Sequence, residues 1–178
     1  FDSKIDPINP IIIKFCESLE YLVLRESVKI KDFSFIKNLV NLNYLAMINI
    51  QIKDLSFLEK LVNLTNLLFI YSNQDLDLSF LKKVVQLKYL NLNGCYKIKD
   101  IQALEKLVNL KHLNLGDLFL INNISYLAKL VNLTQLYLWN CNQIGDISAL
   151  AKLVKLLKLD LSGCTQIQDI SPLAKLVK

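Results

Sequence analysis

Glycine and histidine are scarce in this sequence, which has four glycines and one histidine among 178 residues. Four scattered glycines do not form a glycine-rich loop of the kind that cradles phosphate groups. The single histidine, His112, has no cysteine or carboxylate beside it at metal-ligand spacing, and no general base is evident. An enzyme is therefore the least expected class of protein, and neither a cofactor nor a metal is predicted.

Long apolar runs are also missing, although 53% of the residues are hydrophobic. Lysine, aspartate or asparagine recurs every few positions, so no stretch approaches the roughly 18 uninterrupted apolar residues of a membrane helix. The residues that follow Phe1 lack the features of a secretory signal. We expect no membrane insertion and a cytosolic setting, or the host cytosol if the protein is an effector. A start without methionine suggests a processed chain or a segment of a larger one.

What the sequence has in abundance is one repeated unit, which is clearest between Asn132 and Val154. Leu133, Leu136 and Leu138 form the pattern L-x-x-L-x-L, whose alternation predicts a strand. Ile147, Leu150 and Leu153 then recur every three residues, which is typical of a tight 3-10 turn rather than of a pleated strand. The strand signature that starts at Leu19 returns every 22 or 23 residues, at Leu42, Leu64, Leu87, Leu110, Leu133 and Leu156.

A 22- to 23-residue unit that ends in I-x-D-I-x-x-L-x-x-L resembles the internalin-like class of leucine-rich repeats. The resemblance covers residues 19–177 and implies an α/β fold: a right-handed solenoid with one parallel concave sheet and short 3-10 turns on its convex side. We expect a single domain, with an N-terminal cap or degenerate half-repeat over residues 1–18 and seven repeats over residues 19–178. The carboxyl end is expected to be uncapped, which makes self-association through that end possible.

The sequence departs from this class at the position three residues after the third strand leucine, where the class usually has asparagine. The column there reads Ser27, Ile50, Ser72, Cys95, Leu118, Cys141 and Cys164. Cysteine at this position resembles the cysteine-containing repeats of ubiquitin-ligase substrate receptors. No C-x-x-C pair exists, so we predict buried, reduced and metal-free thiols; Cys16 is unpaired as well.

Two further columns carry charge. The acidic column is Asp32, Asp54, Asp77, Asp100, Asn123, Asp146 and Asp169, and the lysine column is Lys60, Lys83, Lys106, Lys129, Lys152 and Lys175. Each acidic residue precedes a 3-10 turn and one copy is asparagine, which favours N-cap acceptors over metal ligands or catalytic carboxylates. The lysines give a solvated face, and since no aromatic residues interleave with them, nucleic acid is not an expected partner. An acidic protein surface remains an open alternative.

The repeats differ most at the outward-facing positions of the strands, where a binding surface is expected. Ile48, Leu68 and Ile70 are predicted to form an exposed apolar cluster beside Tyr44 and Tyr71. The predicted partner-binding residues are Tyr21, Tyr44, Ile48, Leu68, Ile70, Tyr71, Tyr89, His112, Tyr137 and Trp139. The competing explanation is that aromatic and β-branched residues merely suit strands.

These observations predict a non-catalytic recognition module that binds a protein or peptide on its concave face. The alternative is a regulatory or scaffold subunit of an enzyme, or the substrate-receptor part of a larger effector or ubiquitin-ligase-type protein.

Overall fold

The computed structural model of the chain describes residues 18–25, 30, 32–52 and 54–176. The predicted N-terminal cap over residues 1–18 lies outside this part of the chain except for Ser18. The described strands are β1 (Tyr21–Arg25), β2 (Tyr44–Ile48), β3 (Asn66–Ile70), β4 (Tyr89–Asn91), β5 (His112–Asn114), β6 (Gln135–Tyr137) and β7 (Lys158–Asp160). They form one sheet of seven parallel strands in sequence order, which confirms the predicted α/β leucine-rich-repeat solenoid.

A 3-10 helix returns the chain from each strand to the next. The helices are η1 (Ser34–Asn38), η2 (Ser56–Lys60), η3 (Ser79–Lys82), η4 (Gln102–Lys106), η5 (Ser125–Lys129), η6 (Ser148–Lys152) and η7 (Ser171–Leu176). The predicted three-residue spacing is therefore confirmed as 3-10 geometry. Across the residues that the structure describes, no helix is long and apolar enough to cross a membrane.

The core consists of columns of aliphatic side chains that stack from one repeat to the next. In the strands, Leu45, Leu67, Leu90, Leu113 and Leu136 are completely inaccessible to solvent and face one another in register. The 3-10 helices add a second buried column of Ile36, Leu58, Leu81, Leu104, Leu127 and Leu150. Because side chains alternate along a strand, burying one set of leucines fixes the intervening set on the opposite, concave face.

The aspartate column caps the 3-10 helices, but from one residue further upstream than predicted. The Oδ1 atom of each residue in the column accepts the backbone N–H two residues later, at 2.7–2.9 Å, in all seven repeats. In repeat six, for example, Asp146 accepts from Ser148, while the N-cap position itself is Ile147. The bond satisfies the first helical N–H, so these residues serve the backbone in the way that an N-cap does.

A residue with left-handed backbone conformation follows the strand in every repeat from the second to the seventh. Asn49, Tyr71, Gly94, Asp117, Asn140 and Gly163 have φ values from 53° to 75°. The first five donate their backbone N–H to a carbonyl of the next repeat, at 2.7–3.0 Å. Five of the six are asparagine, aspartate or glycine, the residues that tolerate this conformation, and Tyr71 is the exception.

The third repeat departs from the others, as its sequence predicts. Asp75 stands where other repeats have a core isoleucine, and it is exposed, while the next residue, Leu76, is buried. The hydroxyl of Ser72, in the cysteine column, is completely buried and has no hydrogen-bond partner.

The last repeat is less covered than the middle ones. Leu156, Leu159 and Leu161 are only partly buried, and Leu157 is 75% exposed. Self-association through this end remains a prediction.

Candidate functional site

The outward side chains of the strands form three columns across the concave face. The first column is Tyr21, Tyr44, Asn66, Tyr89, His112, Gln135 and Lys158, one residue from each strand in register. Tyr21 stacks on Tyr44 with ring centroids 4.1 Å apart, and Tyr89 stacks on His112 at 5.8 Å. Burial, together with a hydrogen bond to Tyr21, raises the pKa of Tyr44. The four predicted aromatic residues of this column therefore form two stacked pairs.

The predicted apolar cluster exists, but its members are half-buried rather than exposed. Arg25, Ile48 and Ile70 lie side by side in the register of the first three strands, and Leu68 faces outward one pleat earlier. All three aliphatic side chains of the cluster are only partly accessible to solvent, as expected where neighbouring strands hold side chains next to one another. The cluster is a shallow apolar surface rather than a set of protruding anchors.

Tyr71 is the residue of the site whose backbone is under strain. Its φ of 59° puts a bulky side chain in the left-handed region, which costs an L-residue about 1–2 kcal/mol. The side chain is 47% exposed. Its ring lies over Gly94 of the next repeat, where an added Cβ atom would overlap the ring. A strained, exposed aromatic residue is a recognised mark of functional positions.

Trp139 also lies over a glycine of a neighbouring repeat, but its side chain leans toward the amino end of the solenoid, whereas that of Tyr71 leans toward the carboxyl end. Its indole lies against Gly116 of the preceding repeat, and a Cβ atom on that glycine would overlap three indole atoms. Gly94 and Gly116 belong to adjacent repeats, and the N–H of Gly94 donates to the carbonyl of Gly116 at 3.0 Å. The Tyr71 ring and the Trp139 indole, from repeats three and six, therefore lie over two hydrogen-bonded glycines of the adjacent repeats four and five.

A polar network beside these rings was not predicted from the sequence. The Asp117 carboxylate accepts hydrogen bonds from the side-chain amides of Asn140, at 3.0 Å, and of Asn93, at 3.4 Å. Asn93 is buried and also donates to the Gly116 carbonyl at 2.9 Å. The signal for this network was the row of asparagine, aspartate and glycine residues that marks the left-handed positions. We refer to Tyr71, Trp139, Gly94, Gly116 and Asp117 as the Tyr71–Trp139 patch.

The second outward column is partly structural, which limits what it contributes to recognition. Asn91, Asn114 and Asp160 each accept the backbone N–H two residues later at 2.9 Å. The variability of this column was interpreted as a property of a binding surface, yet these three members close turns of their own backbone. Tyr137, in the same column, instead donates its hydroxyl to Gln135 at 3.1 Å and keeps a partly exposed ring.

The thiols of the cysteine column are buried, free and bonded to the backbone. Cys95, Cys141 and Cys164 donate to carbonyls of the preceding repeat at 3.0–3.2 Å. Burial raises the pKa of Cys95 and of Cys141 to about 12, so both are protonated at neutral pH. This confirms the predicted burial, while the predicted absence of bound metal stays a prediction; Cys16 lies outside the described residues.

The lysine column lies on the opposite side of the molecule, at the ends of the 3-10 helices, where every member is exposed. Within the described ranges, no group of three or more histidine, cysteine, aspartate or glutamate residues is placed to hold a metal ion.

The comparisons with known proteins agree with this architecture. A family profile described as Leucine Rich repeats (2 copies) matches residues 131–175. No curated protein sequence matches the chain. Among solved structures, internalin C2 from Listeria monocytogenes is 30% identical with a TM-score of 0.76, over 93% of this chain and 70% of that one.

Two further structures extend the comparison. An internalin (inlF) from Listeria monocytogenes is 32% identical with a TM-score of 0.69, and the chain spans 91% of its own length but 53% of that protein. The functional domain of InlJ from the same species, described as including a cysteine ladder, has a TM-score of 0.70 at 18% identity, which shows a shared fold. The repeat pattern, the seven-stranded parallel sheet and the identity to internalin C2 together show that the chain belongs to the internalin-like family of leucine-rich repeat proteins.

Proposed function

We propose that this chain is a non-catalytic recognition module that binds a protein or peptide on its concave face. Leucine-rich repeats commonly mediate protein–protein interaction. The buried aliphatic columns of this chain stabilise the solenoid, which leaves the exposed side chains to contact a partner. Fold alone does not determine function, so the proposal rests on the chemistry of the concave side chains.

The observation that carries the proposal is the placement of Tyr71 and Trp139. Folding alone gives no reason to keep tyrosine at a left-handed position, because its neighbours in the column show that asparagine, aspartate and glycine fit there. The strained Tyr71 covers Gly94, and Trp139 covers Gly116 of the next repeat. Tyrosine and tryptophan are enriched among the residues that contribute most of the binding energy in protein interfaces.

The surrounding surface supports an extended partner. The apolar cluster of Ile48, Leu68 and Ile70 lies in the second and third repeats. The stacked pairs Tyr21–Tyr44 and Tyr89–His112 lie beside it in the first column. The cluster and the Tyr71–Trp139 patch meet at the end of β3, since Ile70 directly precedes Tyr71. A single partner segment that crosses the strands would contact both.

The test starts by capturing a partner with the purified chain and measuring its affinity by calorimetry. Tyr71→Ala and Trp139→Ala should each weaken binding by 2 kcal/mol or more, roughly thirtyfold, as expected for interface anchors. Lys106→Ala and Lys129→Ala, on the convex side, are the matched controls and should change affinity little. If the lysine variants lose affinity and the aromatic variants do not, the binding site is on the convex face and the proposal is wrong.

A further inference from the structure

The Tyr71–Trp139 patch combines two aromatic rings with one carboxylate. Each ring lies against a glycine, so its opposite side is turned away from the backbone. Asp117 directly follows Gly116 in sequence and stands next to Gly94 in the left-handed column. Asp117 thereby adjoins the glycine under each ring. Its backbone N–H donates to the Trp139 carbonyl at 2.8 Å, which ties the residue to the strand end that carries the tryptophan.

The charge of Asp117 is held in place but not neutralised. The two side chains that bond it, Asn93 and Asn140, are neutral amides. Among the described residues no lysine forms an ion pair with it, and Arg25 stands on β1, four strands away from β5. A carboxylate accepts about four hydrogen bonds, and the described residues donate two to this one. Asp117 therefore retains both a negative charge and acceptor capacity toward a ligand.

The distribution of charge over the molecule makes this position distinctive. The formal net charge is +5, and the exposed lysine column of the convex face contributes much of the positive charge. Among the outward columns, the basic side chains Arg25 and Lys158 stand in the first and last repeats, away from the repeats that hold the glycine floor. A positively charged group bound at the Tyr71–Trp139 patch would therefore lie away from both of these basic side chains.

We propose that the Tyr71–Trp139 patch binds a cationic side chain, arginine or lysine, of the protein partner. This inference rests on the proposed function and adds the chemistry of the residue that is recognised. The negative faces of the tryptophan and tyrosine rings attract a cation, and the Asp117 carboxylate supplies the opposite charge. Arginine fits best because its planar guanidinium stacks on a ring while its N–H groups bond a carboxylate.

The experiment uses a small probe, so it does not require the natural partner. The 178-residue chain is titrated with the peptide acetyl-Gly-Arg-Gly-amide and with the same peptide carrying citrulline, the neutral isostere of arginine. Trp139 is the only tryptophan in the sequence, so its fluorescence reports binding at the patch. We expect the arginine peptide to bind roughly tenfold more tightly than the citrulline peptide, as for a cation held by aromatic faces and a carboxylate.

Two charge-removing variants give the matched comparison. Asp117→Asn keeps an acceptor oxygen and tolerates the left-handed backbone, and it should abolish the preference for arginine. Asp160→Asn removes the same charge two repeats away and three residues earlier in the repeat, where Asn91 and Asn114 show that asparagine fits. It should leave the preference intact. Gly116→Ala, whose Cβ must displace the indole, should weaken both peptides.

Equal binding of the two peptides, no response to arginine from a folded chain, or an unchanged preference in Asp117→Asn would each overturn the inference. These results leave the proposed function standing if a captured partner still loses affinity in Tyr71→Ala and Trp139→Ala. Conversely, a partner that binds those two variants with unchanged affinity refutes the proposed function, whichever peptide the chain prefers.

Discussion

The first three strands and the last four differ in length and in outward chemistry, although one column of buried leucines runs from β2 through β6. β1 to β3 have five residues, whereas β4 to β7 have three. Outward in the second column, the long strands carry Val23, Ala46 and Leu68, while three of the four short strands carry Asn91, Asn114 and Asp160. The side chain of each of these three bonds the backbone two residues on, which ends the strand early.

The comparison shows that one scaffold presents two kinds of concave surface. Where the second column is apolar, the ladder continues to Ile48 and Ile70, and the face is flat and aliphatic. Where it is asparagine or aspartate, the chain turns sooner and brings polar groups to the strand end. Tyr137 of β6 lacks such an acceptor, yet its strand is equally short between β5 and β7, so the neighbours also influence where pairing stops.

The largest expected effect tests whether the two regions share a core. Leu67→Ala in β3 and Leu136→Ala in β6 remove side chains that are both completely buried. Each should leave a cavity and lower the free energy of unfolding by about 2–5 kcal/mol, measured by urea denaturation. The outward neighbour change Tyr137→Ala is the control and should alter stability little. A clearly smaller loss for Leu67→Ala would show that the long-strand region packs less tightly.

A second prediction exchanges the residues that distinguish the regions. Asn91→Leu removes the acceptor of the Asn93 N–H, a buried hydrogen bond of 2.9 Å. Leaving that donor unsatisfied should cost about 1–3 kcal/mol of unfolding free energy. The reverse change, Leu68→Asn, adds an acceptor to a long strand and should cost less, since it orphans no buried polar group. If both variants unfold at the same urea concentration as the native chain, the hydrogen bond from the Asn93 N–H to Asn91 does not contribute to stability.

The third prediction concerns the border between the regions, where Ser72 stands in the cysteine column. Its oxygen lies closer to its own backbone than a sulfur atom would, and it has no partner, whereas the Cys95 thiol reaches the Phe69 carbonyl at 3.1 Å. Ser72→Cys should raise unfolding free energy by about 1 kcal/mol through one added hydrogen bond. Cys95→Ser is the converse control and should lower it. Equal stabilities would mean that the thiol bonds contribute nothing.

The smallest effect per site is a pH dependence shared by both regions. Backbone hydrogen bonds to Ser34, Ser56, Ser148 and Ser171 lower the pKa values of Asp32, Asp54, Asp146 and Asp169 below 3.8, and bonds to Ser162 do the same for Asp160. Since the folded pKa is depressed, the carboxylates stabilise the fold above the unfolded value. This stability is lost as pH falls through the folded pKa values. Thermal unfolding between pH 5 and 3 should show a falling midpoint, with a shallower slope in Asp146→Asn.

The architecture was predictable because the same residue type recurs at equivalent positions in six or seven repeats. Leu136 and Tyr137, for example, are assigned to opposite faces by alternation alone, and the structure agrees. The shift from Asp75 to Leu76 was signalled by the break in the isoleucine column, but which residue fills the gap depends on the loop path.

The candidate site was less predictable, because periodicity gives the face of a side chain and not its direction along the sheet. Tyr71 and Trp139 are three repeats apart in sequence. Their rings cover adjacent repeats only because Tyr71 leans toward the carboxyl end and Trp139 toward the amino end. The available signal was a glycine next to each large ring in the same column, at Gly94 and at Gly116. The Asp117 network went unpredicted because its members looked like ordinary left-handed turn residues.

The backbone ladder of left-handed residues has a consequence for how such a chain changes in length. Each N–H in that ladder, from Asn49 to Asn140, reaches the carbonyl 21 or 22 residues ahead, one repeat away. Copying or deleting one whole repeat restores every such bond, wherever in the repeat the cut falls. Removing a single residue from the strand or helix displaces donors from acceptors on both sides. Genetic duplication therefore lengthens this protein without redesign, and the whole repeat, rather than the residue, is the unit in which its length can grow.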